Sequence, residues 1–392
     1  MADAKTYVAS YGKLWIGQMY VTESGDTEID IELHAPRLSP YLDIDVNGTV
    51  EIDWGDGTAK STVTGTSLIK TPHVYATDGL YTIKIHVVNG SFNLYGSSVY
   101  GSTFNGNTEP SNYNRVYTSN VKRVRIGSSV PSISFYAFKF CTSLASITIP
   151  SSVTSISSYA FDHCYSLTSV TIPSSVTSIG DNAFSYCASL ASITIPSSVT
   201  NIGTFAFNYC TSLASITIPS SVTSIGGYAF DYCLSLTSVT IPSSVTSISS
   251  YAFRFCYPLA SIIIPSSVTS IGDNAFYNCY SLASITIPSN VTSIGTSTFN
   301  TCYSFASITI PSSVTSIGGN AFANCYGLGL IRFEPTTPPT VANSNAWTNI
   351  PGSCAILIPY DSVSYIGATN YPFSSYFGYM ASVSGESLPT QI

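Results

Sequence analysis

The chain has 392 residues, only 8% of them charged against 44% hydrophobic, and a formal net charge of −7. So long a chain suits two or three cores rather than one, and so few charges exclude a highly charged disordered protein and leave Ser, Thr, Asn and Tyr to solvate the surface. Thirteen basic residues against 20 acidic ones supply neither the cationic face that displaces phosphate counterions nor a polybasic patch for an anionic membrane, so no nucleic-acid partner is expected.

At the N-terminus, MADAKTYVASYGKLWIG has no hydrophobic core of the kind a secretory signal needs, and no apolar run reaches the roughly 18 residues of a membrane span. The expectation is a soluble chain without membrane insertion, either trimmed of a signal or reaching its site as a protein built into a phage particle does.

Residues 1–95 alternate apolar and polar positions, as in Ile29-Asp30-Ile31-Glu32-Leu33 and Tyr81-Thr82-Ile83-Lys84-Ile85-His86-Val87, between Gly, Asn and Asp turns. Alternation of period two predicts half-buried strands and a small β-sandwich. The string Val50-Glu51-Ile52-Asp53-Trp54-Gly55-Asp56-Gly57-Thr58, with His73-Val74-Tyr75 and Asp78-Gly79-Leu80-Tyr81, resembles a PKD-like domain of the immunoglobulin-like class. That resemblance implies a spacer or a unit that docks to a parent cell or particle. Residues 96–120, rich in Gly, Ser, Asn and Tyr, read as a linker or long loop.

The next stretch, 121–335, is a repeat. Nine cysteines, from Cys141 through Cys164 and Cys187 to Cys325, stand 23 residues apart, and the surrounding apolar landmarks keep that step. In one unit Val170 and Ile172 alternate with Ser169 and Thr171 as a short strand, and Pro173, which has no N–H to donate, ends it. Val176 and Ile179 form a second extended piece closed by Gly180. Ala183, Phe184 and Cys187 read as one face of a single helical turn. Such a unit cannot bury enough apolar surface alone, so the units must stack; nine coils at about 4.8 Å each would extend about 43 Å.

The unit L-x-S-I-T-I-P-S-S-V-T-S-I-G-x-x-A-F-x-x-C resembles the BspA-like class of leucine-rich repeats, and 336–392, with Thr337-Pro338-Pro339, Cys354 to Pro359, Tyr365 and Phe373, is similar to that family's C-terminal cap and tail. The fold expected is mainly β with short helical turns: an N-terminal β-sandwich followed by a right-handed leucine-rich-repeat solenoid. The resemblance implies a non-catalytic adhesin or receptor-binding protein of the cell surface, recognising a host or bacterial surface protein or glycan. A structural spacer with no ligand is the alternative.

Candidate chemistry is sparse. The cysteine ladder lies on the apolar face, without the short C-x-x-C spacing of zinc sites, so buried free thiols are expected and no metal or cofactor. His34, His73, His86 and His163 are scattered, with no carboxylate constellation for nucleophilic catalysis. Asp53, Asp56 and Asp78 suit turn chemistry, with hard-oxygen calcium ligation as the rival reading.

What remains is aromatic. Positions beside each Cys, and two before each Phe, are expected to point outward, and they hold Tyr159, Tyr165, Tyr186, Tyr209, Tyr228, Tyr232, Tyr251, Phe255, Tyr257, Tyr280, Tyr303 and Tyr326, with Tyr136, Phe140 and His163 at the front. Tyrosine gives wide contact area at low entropy cost, which suits recognition of glycan or protein; the alternative is that the rings pack on one another between coils. A second candidate surface is the Ser/Thr row of the strands, where Ile263 interrupts the threonines.

Overall fold

The computed structural model describes residues 25–33, 41–94, 104–105, 121–359, 363–365, 368, 370–371 and 378–379. The front segment forms β1 (Thr27–Leu33), β2 (Tyr41–Asp53), β3 (Ser61–Pro72), β4 (Gly79–Leu94) and the short β5 (Phe104–Asn105). In β1 the expected alternation is strict: Thr27, Ile29, Ile31 and Leu33 are buried and the intervening acids are not. Strands β2 and β3 make a long hairpin from Tyr41↔Pro72 to Ile52↔Ser61, and β4 runs antiparallel to both β1 and β2.

The β2–β4 register slips between Thr49 and Val50, beside the facing pair Gly48 and Gly90. Both glycines have left-handed φ, 128° and 78°, and a Cβ on Gly90 would meet the Asn47 carbonyl, so only glycine lets the two backbones pass at this bulge. The described residues of the front segment hold one antiparallel sheet; a second sheet of the expected sandwich is not among them. The expected linker lies outside the described residues except for β5, which pairs with β2.

Strand β6 (Val121–Arg125) connects the two parts. It lies antiparallel to β1 and parallel to Ser146–Thr148 of the first repeat, so a single nine-stranded sheet passes from the front hairpin into the repeats.

From β6 onward the chain is a β-solenoid of about ten coils with three inter-coil ladders. The first joins the Ser-Ile/Val-Thr strands in 23-residue register, with Ser146, Ile147 and Thr148 opposite Ser169, Val170 and Thr171. The second joins pairs such as Ser178–Ile179, Asn201–Ile202 and Ser224–Ile225.

The third ladder corrects the expected helical turn. Asn182, Phe184 and Tyr186 donate their N–H groups to Thr204, Ala206 and Asn208 of the next coil, and only intervening residues close i to i+3 turns, such as Cys187 N–H to the Phe184 carbonyl at 3.2 Å. Asn182 and Tyr186 sit at φ 55° and 58°, in the left-handed region, and this recurs at both positions in the nine coils from Tyr136 and Phe140 to Asn320 and Asn324. A helix would have spent those N–H groups inside the coil; the left-handed residues turn them along the stack.

The core is a set of columns. Phe138, Phe161, Phe184, Phe207 and Phe230 are fully buried and stack at 5.1–5.6 Å. Beside them the ladder thiols from Cys164 to Cys325 are buried and form no disulfide, each donating to a phenylalanine carbonyl of the preceding coil, as Cys187 Sγ does to Phe161 O at 3.3 Å. Burial pushes these thiols up, Cys325 to about 12. The repeated Ser-Ser also has its reason: the second serine caps the preceding coil, Ser198 Oγ donating to Val176 O at 2.5 Å. Stacking continues past residue 335, because Leu330–Phe333 pairs with Ala355–Ile358 and Trp347 lies on Phe322 at 5.0 Å.

Candidate functional site

The turn edge of the solenoid carries three rows of rings, each repeating every 23 residues. The first holds Tyr136 and Tyr159 at 5.0 Å, then Phe205, Tyr228 and Tyr251 at 4.4 and 4.3 Å. The second runs unbroken through Phe140, His163, Tyr186, Tyr209, Tyr232 and Phe255, with centroids 4.2–4.8 Å apart. The third holds Tyr257, Tyr280, Tyr303 and Tyr326 at 4.5–5.4 Å. Tyr165 stands apart, edge-on to His163 at 5.5 Å.

The rings expected to point outward are therefore not free side chains. Tyr159, Tyr186, Tyr209, Tyr228, Tyr232, Tyr251 and Phe255 are half-buried, and the residues of the first two rows have φ near 60°. Such a conformation is costly for an aromatic residue, and face contacts with the rings above and below offset that cost. Burial, with the Tyr232 hydroxyl as a second cause, pushes the Tyr209 phenol up to about 12. Tyr165, Tyr303 and Tyr326 are the exposed members.

Between the first two rows runs a polar row in which Asp162, Asn208 and Asp231 are buried and Lys139 and Arg254 half-buried. Arg254 lies 5.0–5.6 Å from the centres of Tyr228, Tyr251, Tyr232 and Phe255 and donates to Asp231 from Nε at 2.9 Å and from Nη2 at 2.7 Å. Asn208 donates to the same carboxylate at 3.2 Å. Desolvation raises the Asp231 pKa, against the lowering effect of Arg254. Lys139 repeats the arrangement over Tyr136, Phe140 and Tyr159 and meets Asp162 at 3.3 Å. These chain-borne cations sit between aromatic faces. The sequence reading missed both, although each pair has opposite charges one period apart. It also missed Phe205, which lacks the hydroxyl that drew attention to its neighbours.

The other candidates fall into place in the same way. Asp53 Oδ1 accepts the Gly55 N–H, while Asp56 accepts from Thr58 through Oδ1 and meets His73 through Oδ2 at 2.8 Å, so a turn contact and a tertiary one engage both oxygens of Asp56. His86 meets Asp26 and His163 meets Asp162; His34 lies outside the described residues. No group of three or more His, Cys, Asp or Glu suited to a metal ion occurs among the described residues, and no helix among them is long and apolar enough to cross a membrane. On the strand face the Ser/Thr row is exposed, Ile263 is 78% exposed within it, and Ser284, Thr286, Ser307, Thr309, Pro288 and Glu334 line a 520 Å³ depression.

Residues 111–237 and 223–349 match the family described as BspA type leucine rich repeat region, in six copies. Solved structures that the chain is similar to include a leucine rich cell surface protein from Faecalibacterium prausnitzii A2-165, with 29% identity, 75% of this chain and 92% of that chain covered, and a TM-score of 0.39. A leucine-rich repeat protein from Bacteroides ovatus ATCC 8483 shares 22% identity over 79% of this chain and 90% of that one, with a TM-score of 0.40. A leucine rich repeat protein of T. pallidum shares 30% identity over 53% and 83%, with a TM-score of 0.37. The comparison with curated proteins gives no match.

Proposed function

This chain belongs to the BspA type leucine-rich repeat family, and from that premise we propose that it is a non-enzymatic recognition protein acting outside the cell, on a bacterial surface or a phage particle. The partner is a surface protein or glycan, and the front sheet is the part that docks to the parent cell or particle. The observation that carries this reading is the turn edge, where ring-bearing positions change from coil to coil while the buried columns barely do. Aromatic rows of this kind give rigid contact area at low entropy cost.

The stacking of the first two rows favours a second reading, a spacer whose rings only stiffen the stack. The third row separates the two, since Tyr303 and Tyr326 are 42% and 56% exposed. Replacing Tyr280, Tyr303 and Tyr326 with Leu keeps apolar cover but removes the ring faces. Recognition predicts about tenfold weaker adhesion to bacterial or host cells, with a melting temperature shifted by a few degrees at most. Unchanged adhesion, or adhesion lost only in step with melting, supports the spacer.

A further inference from the structure

The first aromatic row is interrupted once with rings on both sides. Tyr159 and Phe205 are two coils apart, and the position between them is Asn182. Tyr136 stacks on the far face of Tyr159 and Tyr228 on the far face of Phe205, so both walls are braced from behind. Two coil steps place the walls about 9.6 Å apart, room for one further ring at about 4.8 Å from each. The complete stretches of the first two rows stack mostly at 4.2–4.5 Å, a little closer than that.

Asn182 shares the left-handed φ of the row, 55°, so its side chain leaves the backbone as the neighbouring rings do. It is shorter than they are, so it reaches less far from the backbone than a ring at that position would. Its amide has no hydrogen-bond partner among the described residues. Beside it, the exposed Asp181 uses Oδ1 to hold the Thr204 N–H at 2.7 Å, and its charge helps to raise the Tyr159 pKa, after desolvation, Tyr136 and Asp162. The gap thus has two aromatic walls with the Asn182 amide between them, and next to it in the chain the Asp181 carboxylate, held by the Thr204 N–H of the following coil.

We propose that this gap is a binding subsite for one pyranose ring of a neutral glycan, sandwiched between Tyr159 and Phe205 with its hydroxyls on Asn182 and Asp181. The proposal rests on the recognition reading above and gives that surface a ligand class. A pyranose offers C–H faces to both walls and hydroxyls at its edge to the amide and carboxylate. An aromatic side chain of a protein partner would satisfy the walls and leave those polar groups unpaired. Small-molecule sites in general combine aromatic and apolar walls with a small number of placed polar groups.

The test is titration of the full chain against an array of neutral hexose and N-acetylhexosamine oligosaccharides, followed by calorimetry with any that bind, for the natural chain and for Asn182→Tyr and Tyr159→Leu. Asn182→Tyr installs the residue that Tyr136, Tyr159, Tyr228 and Tyr251 already place at this position, so it is expected to fold with an unchanged or higher melting temperature while weakening binding at least about tenfold. Tyr159→Leu should weaken binding to a similar degree. Absence of saturable binding to every array member, or binding that survives Asn182→Tyr, overturns the proposal. If that happens while adhesion still depends on the tyrosines of the third row, the subsite falls and the recognition reading stands; loss of both refutes the two together.

Discussion

At the residue scale the informative fact is the left-handed backbone at two positions of each coil from Tyr136 to Asn324. Asn occupies it at 182, 274, 278, 320 and 324, whereas Tyr, Phe or His holds most of the others. Asn tolerates this conformation through its short polar side chain; a ring needs a neighbouring ring to offset a strain of about 1–2 kcal/mol, and each stack contributes about 0.5–1.5 kcal/mol. Tyr232, stacked on Tyr209 and Phe255, tests the balance. Tyr232→Asn should change unfolding free energy by about 1 kcal/mol or less, because strain and stacking leave together. Tyr232→Val should cost about 2–4 kcal/mol, since a β-branched residue keeps the strain and loses both stacks; urea unfolding midpoints distinguish them. The row positions were legible in the sequence as aromatic, but their direction was not, because a side chain's path follows φ, and φ here is set by hydrogen bonds to another coil.

At the element scale, the β2–β3 turn is where local sequence was most readable. Asp53, Gly55, Asp56 and Thr58 form the turn that their spacing predicts. What the string does not reveal is the tertiary partner: His73, 17 residues on, lies flat on Trp54 at 4.6 Å and meets Asp56. Burial alone would raise the Asp56 carboxyl, but the bonds from Thr58 and His73 outweigh it and lower the pKa to about 2. A folded value below the unfolded one, about 3.9, means that stability from this group is present above pH 4 and is lost as pH falls toward 2. The melting temperature of the front sheet, followed by the Trp54 indole NMR signal, should therefore drop between pH 4 and 2. Asp56→Asn should flatten that drop and lower the value at pH 7.

At the scale of the whole molecule, charge is concentrated at the junction. Glu28 and Asp30 on β1 pair across the strands with Arg125 and Arg123 on β6, at 2.6 and 2.7 Å, and Glu32 meets Lys122 at 3.0 Å. Single surface pairs contribute about 0.2–1 kcal/mol each, whereas like charges facing across strands repel. Reversing Glu28, Asp30 and Glu32 to Lys should lower the melting temperature and raise hydrogen exchange in β6 and the first coil. Reversing Lys122, Arg123 and Arg125 to Glu in the same chain should restore both, and failure of that rescue would show that the charges do not hold the junction. The chemistry by itself determined the repeat, its 23-residue period, the apolar columns and the buried thiols, because each copy must present the same groups to the copies on either side. Only the tertiary structure decided that the turn is a third ladder and not a helix, that the rings stack, and that the front sheet runs into the solenoid. Those outcomes depend on which backbone N–H groups find acceptors in a neighbouring coil or strand, and no single unit of sequence contains its own partner.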